Sequence, residues 1–213
     1  MTCIILATRN AHKVAEIREI LGGNVRILSQ HDFPGAPAVA EDADTFAGNA
    51  TKKAEGLAAW LAANEREAGE GRPFYVLADD SGLEVDALEG APGVYSARFA
   101  AGALPRTANS PDAANNEKLL RLLEDVPPDS RTARFRCVLA LAAREVATRL
   151  FEGQCEGHIA RVAAGAEGFG YDPLFIPEGF TQSFAELGEE VKNKISHRSR
   201  ALAQLRRLLD GVE

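Results

Sequence analysis

The sequence predicts an α/β fold built on a mixed β-sheet. Two short apolar runs, Cys3–Ala7 and Phe74–Ala78, read as buried strands, and the first leads directly into a helical pattern. Phe135, Cys137, Leu139 and Leu141 alternate with other residues, and a second extended stretch follows over Val146–Glu156. That pairing predicts a long hairpin, which rules out a purely parallel sheet.

The elements follow in order. After Cys3–Ala7, the residues Val14, Ile17 and Leu21 recur at helical spacing, and Gly22-Gly23 stops the helix. Val25–Leu28 is a second strand. Asp32–Ala43, with two prolines and several acids, is a loop. Asp44 or Thr45 caps a helix to Ala63, with Phe46, Ala50, Ala54, Leu57, Ala58 and Leu61 on its buried face. Asn64–Arg72 is charged and reads as an exposed connection. Phe74–Ala78 ends in Asp79-Asp80-Ser81-Gly82, and Leu83–Leu88 is a further short strand. Ala100–Pro111 is a surface loop, and Pro111–Leu123 a helix with proline in its first turn. Pro127-Pro128 closes it. Ala143-Arg144-Glu145 turns the hairpin. A glycine-rich loop, Gly165–Gly170, leads to strand Leu174–Ile176, and Ser196 caps a final helix bearing Leu202, Leu205, Leu208 and Leu209.

Composition narrows the function. The chain has 213 residues, 46% hydrophobic and 26% charged, so it is an ordinary globular sequence. At this length roughly 70% of the unfolded surface is buried on folding, and one core needs no staples. Residues 1–213 read as one domain, or as two lobes sharing a sheet. The longest apolar runs, Leu57–Ala63 and Cys137–Ala143, are far short of a membrane span. Met1–Ala7 lacks the basic region and the length of a signal sequence. Cys3, Cys137 and Cys155 are far apart and form no CxxC pair, which predicts packing thiols and a reducing cytoplasm. A net charge of −7 argues against a general nucleic-acid surface but leaves room for a small anion held by local cations. The basic residues are 18 Arg and only 6 Lys.

Five segments carry candidate chemistry. Thr8-Arg9-Asn10-Ala11-His12-Lys13 joins a strand to a helix, where backbone N–H groups and the positive dipole end suit phosphate. Lys13 adds a compact charge; the glycines of a Walker loop are absent. Asp79-Asp80 follows a buried strand. Alternation points the two acids to opposite sides, one to the site and one to orient neighbours, or else they simply cap a turn. Among Glu41, Asp42 and Asp44, one acid can offer oxygen to a hard cation, or all three serve the helix N-terminus. In Gly168-Phe169-Gly170-Tyr171-Asp172-Pro173 the glycines allow close backbone approach, and Phe169 or Tyr171 can stack on a flat ligand. In Lys192-Asn193-Lys194-Ile195-Ser196-His197-Arg198, cations at a helix start oppose the dipole, so Lys194, His197 and Arg198 ask for an anionic or carbonyl partner. His12, His31, His158 and His197 show no metal spacing.

Taken together, these segments and Gly90-Ala91-Pro92-Gly93-Val94-Tyr95-Ser96-Ala97-Arg98 occur in an order that resembles the inosine triphosphate pyrophosphatase family, also called non-canonical purine or dITP/XTP pyrophosphatases. The resemblance spans nearly the whole chain. It implies a two-lobed α/β fold on an elongated mixed sheet flanked by helices, a homodimer, and Mg²⁺-dependent hydrolysis of ITP, dITP and XTP to the monophosphate and pyrophosphate. Carried over by position, Thr8, Arg9, Asn10, Ala11, His12 and Lys13 hold the triphosphate. Glu41 and Asp80 serve the metal, Asp80 is the catalytic proton acceptor, and Ser81 contacts substrate. Phe169, Gly170, Tyr171, Asp172, Lys192, His197 and Arg198 contact the nucleotide. Whether Asp80 takes the proton itself or relays it through water stays open.

The sequence departs from the family pattern at Arg9, at Gly48 before Asn49, at Glu167 before Gly168, and in the length of Ala100–Ser110. Two rival readings remain. A Maf-like pyrophosphatase acting on canonical or methylated nucleotides is disfavoured by the Gly168–Pro173 and Ser196–Arg198 blocks. A nucleotide-sensing or RNA-binding module is disfavoured because clustered Glu41, Asp79 and Asp80 give an anion binder nothing without a metal.

Overall fold

The computed structural model describes residues 2–23, 25–64, 74–101, 109–144 and 146–211. The expected connection over 65–72, most of the 100–110 loop and Glu145 of the hairpin turn lie outside the described residues.

Six strands form one mixed sheet in the order β2-β1-β3-β4-β5-β6, with five α-helices along the chain. The α/β expectation holds. The chain divides into two compact units. The first comprises Met1–Asp80, Val138–Glu152 and Ala201–Glu213, and the second Ser81–Cys137 and Gly153–Arg200. Strand β3 crosses the boundary, which falls between Asp80 and Ser81.

In the first unit, β1 (Thr2–Leu6) pairs in parallel with β2 (Val25–Ser29) and with the start of β3 (Phe74–Val85). Ile4, Ile5 and Leu6 are wholly buried, as an apolar run inside a parallel sheet requires. Helix α1 (Ala11–Leu21) buries Val14, Ile17 and Leu21 and stops at Gly22, whose φ of +69° suits glycine. Helix α2 (Phe46–Ala63) starts at Thr45, whose hydroxyl accepts from the Gly48 N–H at 3.0 Å. Its apolar stripe is the expected one, except that Ala58 is only half-buried and Asn49 and Lys53 are buried with it.

The second unit is built on helix α3 (Asp112–Leu122) and parts of β4 (Thr132–Ala143) and β5 (Val146–Ile159), with β6 (Phe175–Pro177) antiparallel to β5. Phe135, Phe175 and Phe184 pack together in its core, with the Phe135 and Phe175 rings 4.6 Å apart. Buried Arg131 donates to the carbonyls of Leu123, Ile159 and Ala160 at 2.6–2.9 Å, tying the end of α3 to the end of β5. The three cysteines are free thiols, and burial pushes Cys155 up to about 11, as a packing residue should be.

Two expectations are corrected. First, the strand does not end before Asp79-Asp80-Ser81-Gly82, nor do these residues cap a turn: β3 runs unbroken from Phe74 to Val85, with both acids in mid-strand. The charges do not break the strand because lysines neutralise them, as described below. Second, Lys192 and Lys194 do not start a helix. They end helix α4 (Phe184–Ile195), which opens with a Ser183–Glu186 capping box and kinks at Gly188. Cations in a last turn favour the dipole, and exposed Lys194 pairs with Glu190 one turn away, so it asks for no further partner. Helix α5 (His197–Leu209) begins after Ser196, whose hydroxyl accepts from the Ser199 N–H as expected. Leu202 and Leu205 are buried, and Leu208 and Leu209 half-buried.

Candidate active site

The first group of site residues lies in the first unit. Successive side chains of a strand point to opposite faces, and Asp79 and Asp80 accordingly find different lysines. Asp79 pairs with Lys13 of α1 through a very short contact. Asp80 accepts from Lys53 Nζ of α2 at 2.8 Å and from Asn49 Nδ2 at 3.2 Å. An ammonium carries three donors. Lys53 directs its donors to Asp80 Oδ1, to the Asp79 carbonyl at 2.9 Å and to Glu41 Oε1 at 3.0 Å. Asn49 Oδ1 in turn accepts from the Ala43 N–H at 2.9 Å, fixing the segment that carries Glu41.

These groups are buried: Asp79 is 2% exposed, Asp80 6% and Lys53 8%. Burial raises the Asp80 carboxyl above its ordinary value, and Lys53 and Lys13 only partly offset this. Burial pulls the Lys53 ammonium down, but Asp80, Glu41 and Asp79 together outweigh it and leave it raised.

The strand-to-helix turn differs from expectation in detail. Asn10 is the N-cap of α1, and its Oδ1 accepts from the N–H groups of His12 and Lys13 at 3.0 and 3.2 Å. The Asn10 N–H itself donates to Thr8 Oγ1. These amides are engaged locally, so what the turn presents is dipole and charge. Arg9 was expected to add charge beside phosphate, but its guanidinium donates to the Ala36 carbonyl at 2.9 Å and anchors the following loop. Thr8 is half-buried, and Arg9, Asn10, Ala11 and His12 are exposed.

The second group lies in the second unit. Lys192 and Asp172, 2% and 1% exposed, form an ion pair, and the same carboxylate accepts the Phe169 N–H at 2.9 Å. The Phe169 ring lies 4.5 Å from Lys192 Nζ and 5.9 Å from the Arg198 guanidinium carbon. Arg198, 1% exposed, donates to Ser81 Oγ at 3.0 Å, and His197 stacks on Phe135 at 4.8 Å. Gly168 has φ +77°, and a Cβ there would meet Asp172 Oδ2 at 2.2 Å, so only glycine fits. Tyr171 does not present its ring for stacking. It is buried in the core, its hydroxyl donates to the Ser96 carbonyl at 2.8 Å, and burial holds that hydroxyl well above its ordinary pKa. Phe169 is the remaining aromatic of the pair.

Of the expected residues, the structure brings Lys13, Glu41 and Asp80 into one network through Asp79 and Lys53, and Ser81, Phe169, Asp172, Lys192 and Arg198 into another. Lys53 is not among the expected site residues, and Asn49, part of the family pattern, has no role assigned from sequence. Their signal is legible in retrospect: a lysine and an asparagine, four residues apart, each beside an alanine of the helix's apolar stripe. Among the described residues no three His, Cys, Asp or Glu side chains gather as a self-sufficient metal site.

Mixed sheet, helix-start turn and acid–lysine network define an α/β protein whose site chemistry suits a polyphosphate-bearing ligand. Comparison with known proteins agrees in kind. The chain belongs to the Ham1 family, which it matches over residues 4–208. A dITP/XTP pyrophosphatase of Desulforamulus reducens is 51% identical over 210 residues, covering 98% of this chain and 96% of that protein. Another, from Shouchella clausii, is 44% identical and covers 100% and 98%. The solved structure of a HAM1 protein from Coxiella burnetii aligns with TM-score 0.81 at 38% identity, covering 99% of this chain and 100% of that one.

Lys53→Met should destabilise the fold by about 3 kcal/mol at neutral pH, because breaking a buried pair strands its partner. Without Lys53 the Asp80 carboxyl titrates higher still, so acid protonates it and relieves the penalty. The loss in unfolding free energy is therefore expected to be larger at pH 8 than at pH 5. Urea titrations at both values measure it, and equal losses would contradict the pairing.

Proposed function

We propose that this chain is a pyrophosphatase that hydrolyses non-canonical purine nucleoside triphosphates, ITP, dITP and XTP, to the nucleoside monophosphate and pyrophosphate. Such an activity removes deaminated bases before they enter DNA or RNA. The observation that carries the reading is the network of buried Asp79, Asp80 and Lys53 with partly exposed Glu41 and Lys13, in a chain of the Ham1 family. Relatives named dITP/XTP pyrophosphatase, aligned over nearly their whole length, support the substrate class. Residues 1–213 are read as one catalytic domain, working as a cytoplasmic homodimer on a small-molecule substrate, without nucleic acid or membrane. Among the described residues, no helix is long and apolar enough to cross a membrane.

The donor set fits Mg²⁺. Glu41 and Asp80 already converge on one cationic group, Lys53 Nζ. Mg²⁺ takes hard oxygen ligands, commonly one or two carboxylates with substrate phosphates and water completing the shell. Glu41 and Asp80 would hold it, and the ion, when bound, supplies charge neutralisation for the leaving pyrophosphate. The chain's own groups do the rest. Lys53 holds the two carboxylates in place. Lys13 and the start of α1 draw the triphosphate, which carries about four negative charges. Asp80 accepts the proton of the attacking water, directly or through a second water. Asp79 keeps Lys13 oriented.

Base choice rests with the second group. Phe169 offers a flat face. Arg198 is a donor without acceptor capacity, so it matches the 6-oxo group of hypoxanthine or xanthine and repels the 6-amino group of adenine. Ser81 and Asp172 hold Arg198 and Lys192.

The test is pyrophosphate release from ITP, dITP, XTP, GTP, ATP, UTP and dTTP with and without Mg²⁺. Preferential, Mg²⁺-dependent release from the first three is expected. Preference for canonical nucleotides, or orthophosphate as the product, would overturn the reading. Asp80→Asn should lower kcat by on the order of 10²–10⁴-fold, as for a lost general base, with the fold intact by circular dichroism. Retention of a third of the activity would remove Asp80 from the chemistry. Arg198→Ala should cut kcat/KM for ITP by on the order of 10–100-fold and for ATP much less, as for a lost charged hydrogen bond. Equal losses would move base reading elsewhere.

A further inference from the structure

Helix α3 contributes to none of the chemistry assigned above, yet its first two turns grip the base-side loop. Asp112 Oδ2 accepts the Gly170 N–H at 2.7 Å, and Asn116 Nδ2 donates to the Gly170 carbonyl at 3.0 Å. The two side chains are four residues apart and so lie on one face of the helix. They hold consecutive peptide groups, 169–170 and 170–171, directly after Phe169. The Phe169 N–H on the other side is held by Asp172.

This grip differs from ordinary helix capping. Asp112 sits in the first turn of a helix whose N-cap, Pro111, makes no side-chain cap, but its carboxylate is spent on the loop. The loop needs restraint. Residues 166–170 form no regular structure, and Gly168 and Gly170 both sit at positive φ, +77° and +64°. Glycine backbone has more freedom to lose than any other. The same helix is itself fixed on its neighbouring face. Asn115 Oδ1 accepts the Ala100 N–H at 2.7 Å, and Lys118 donates to the Phe99 carbonyl at 2.5 Å. The helix that grips the loop is thus itself held by side-chain hydrogen bonds on its neighbouring face.

We infer that Asp112 and Asn116 are positioning residues for base recognition: by clamping both sides of Gly170 they fix the Phe169 ring beside Lys192 and Arg198. The inference rests on the proposed pyrophosphatase reading. Clamping lowers the entropy cost of ordering Phe169 against the purine, so its loss weakens purine binding and leaves the acid–lysine network untouched.

The experiment compares wild type with Asp112→Ala, Asn116→Ala and the conservative Asp112→Asn, whose amide oxygen still accepts an N–H. KM and kcat are measured with ITP and ATP at saturating Mg²⁺, beside hydrogen exchange of the 166–171 peptide. Both alanine variants should raise KM for ITP about 5-fold, the scale of one lost hydrogen bond, with kcat within about 2-fold. The ITP:ATP preference should fall by a similar factor, exchange at 166–171 should accelerate, and Asp112→Asn should restore most of both. Exchange is read on the folded variants and follows the clamp even if turnover fails. Unchanged KM and exchange, a loss confined to kcat, or equal losses on ITP and ATP would each overturn the inference. Wild type that leaves ITP intact would refute the functional reading and this inference with it; active wild type beside unmoved variants refutes the inference alone.

Discussion

A buried ammonium organises the first unit. Lys53 reaches from the apolar face of α2 to bind Asp80, Glu41 and the backbone carbonyl of Asp79. Two adjacent aspartates in the middle of a buried strand would otherwise be untenable, since an unpaired buried carboxylate costs several kcal/mol. With Lys53 on one acid and Lys13 on the other, β3 runs on without a break. The same arrangement that makes the strand possible gathers carboxylate oxygens around a cation. Stability and the proposed metal chemistry therefore draw on one set of contacts.

The second unit solves a different problem. Its cations, Lys192 and Arg198, are buried and partnered by Asp172 and Ser81, so their positions are set before any ligand arrives. Its aromatic, Phe169, rides on a glycine-rich loop that takes its anchorage from outside. Contacts from α3, from Asp172 and from the buried Tyr171–Ser96 hydrogen bond supply it. Charges are preorganised by burial, and the flat surface is preorganised by tethering.

What the sequence revealed follows from how local each signal is. Strand β1 and helix α1 are legible because an apolar run and three helically spaced aliphatics sit within twenty residues, whereas the capping role of Asn10 emerges only in the structure. The long hairpin was legible through its alternation. The continuation of β3 through Asp79–Gly82 is not legible, because nothing nearby reveals that lysines 66 and 27 positions earlier neutralise the two acids. Lys53 was missed for the same reason: a charged residue on an apolar stripe gains its meaning only from the strand it meets. Helix α4 does not stand out in the sequence, although Ser183 and Glu186 spell its start, because Gly188 interrupts the pattern. Tyr171 was offered as a stacking partner because sequence does not distinguish a ring that faces a ligand from one that fills a core.

Lys53 and Asp80 are held in the fold by each other. A double-mutant cycle of Lys53→Met and Asp80→Asn, read by urea unfolding at pH 8, addresses this mutual dependence most directly. The double variant is expected to be more stable than the sum of the single losses implies, with a coupling of at least about 1 kcal/mol, because removing both partners of the Lys53–Asp80 pair strands neither. Losses that add to within about 0.5 kcal/mol would show two independent residues and contradict it.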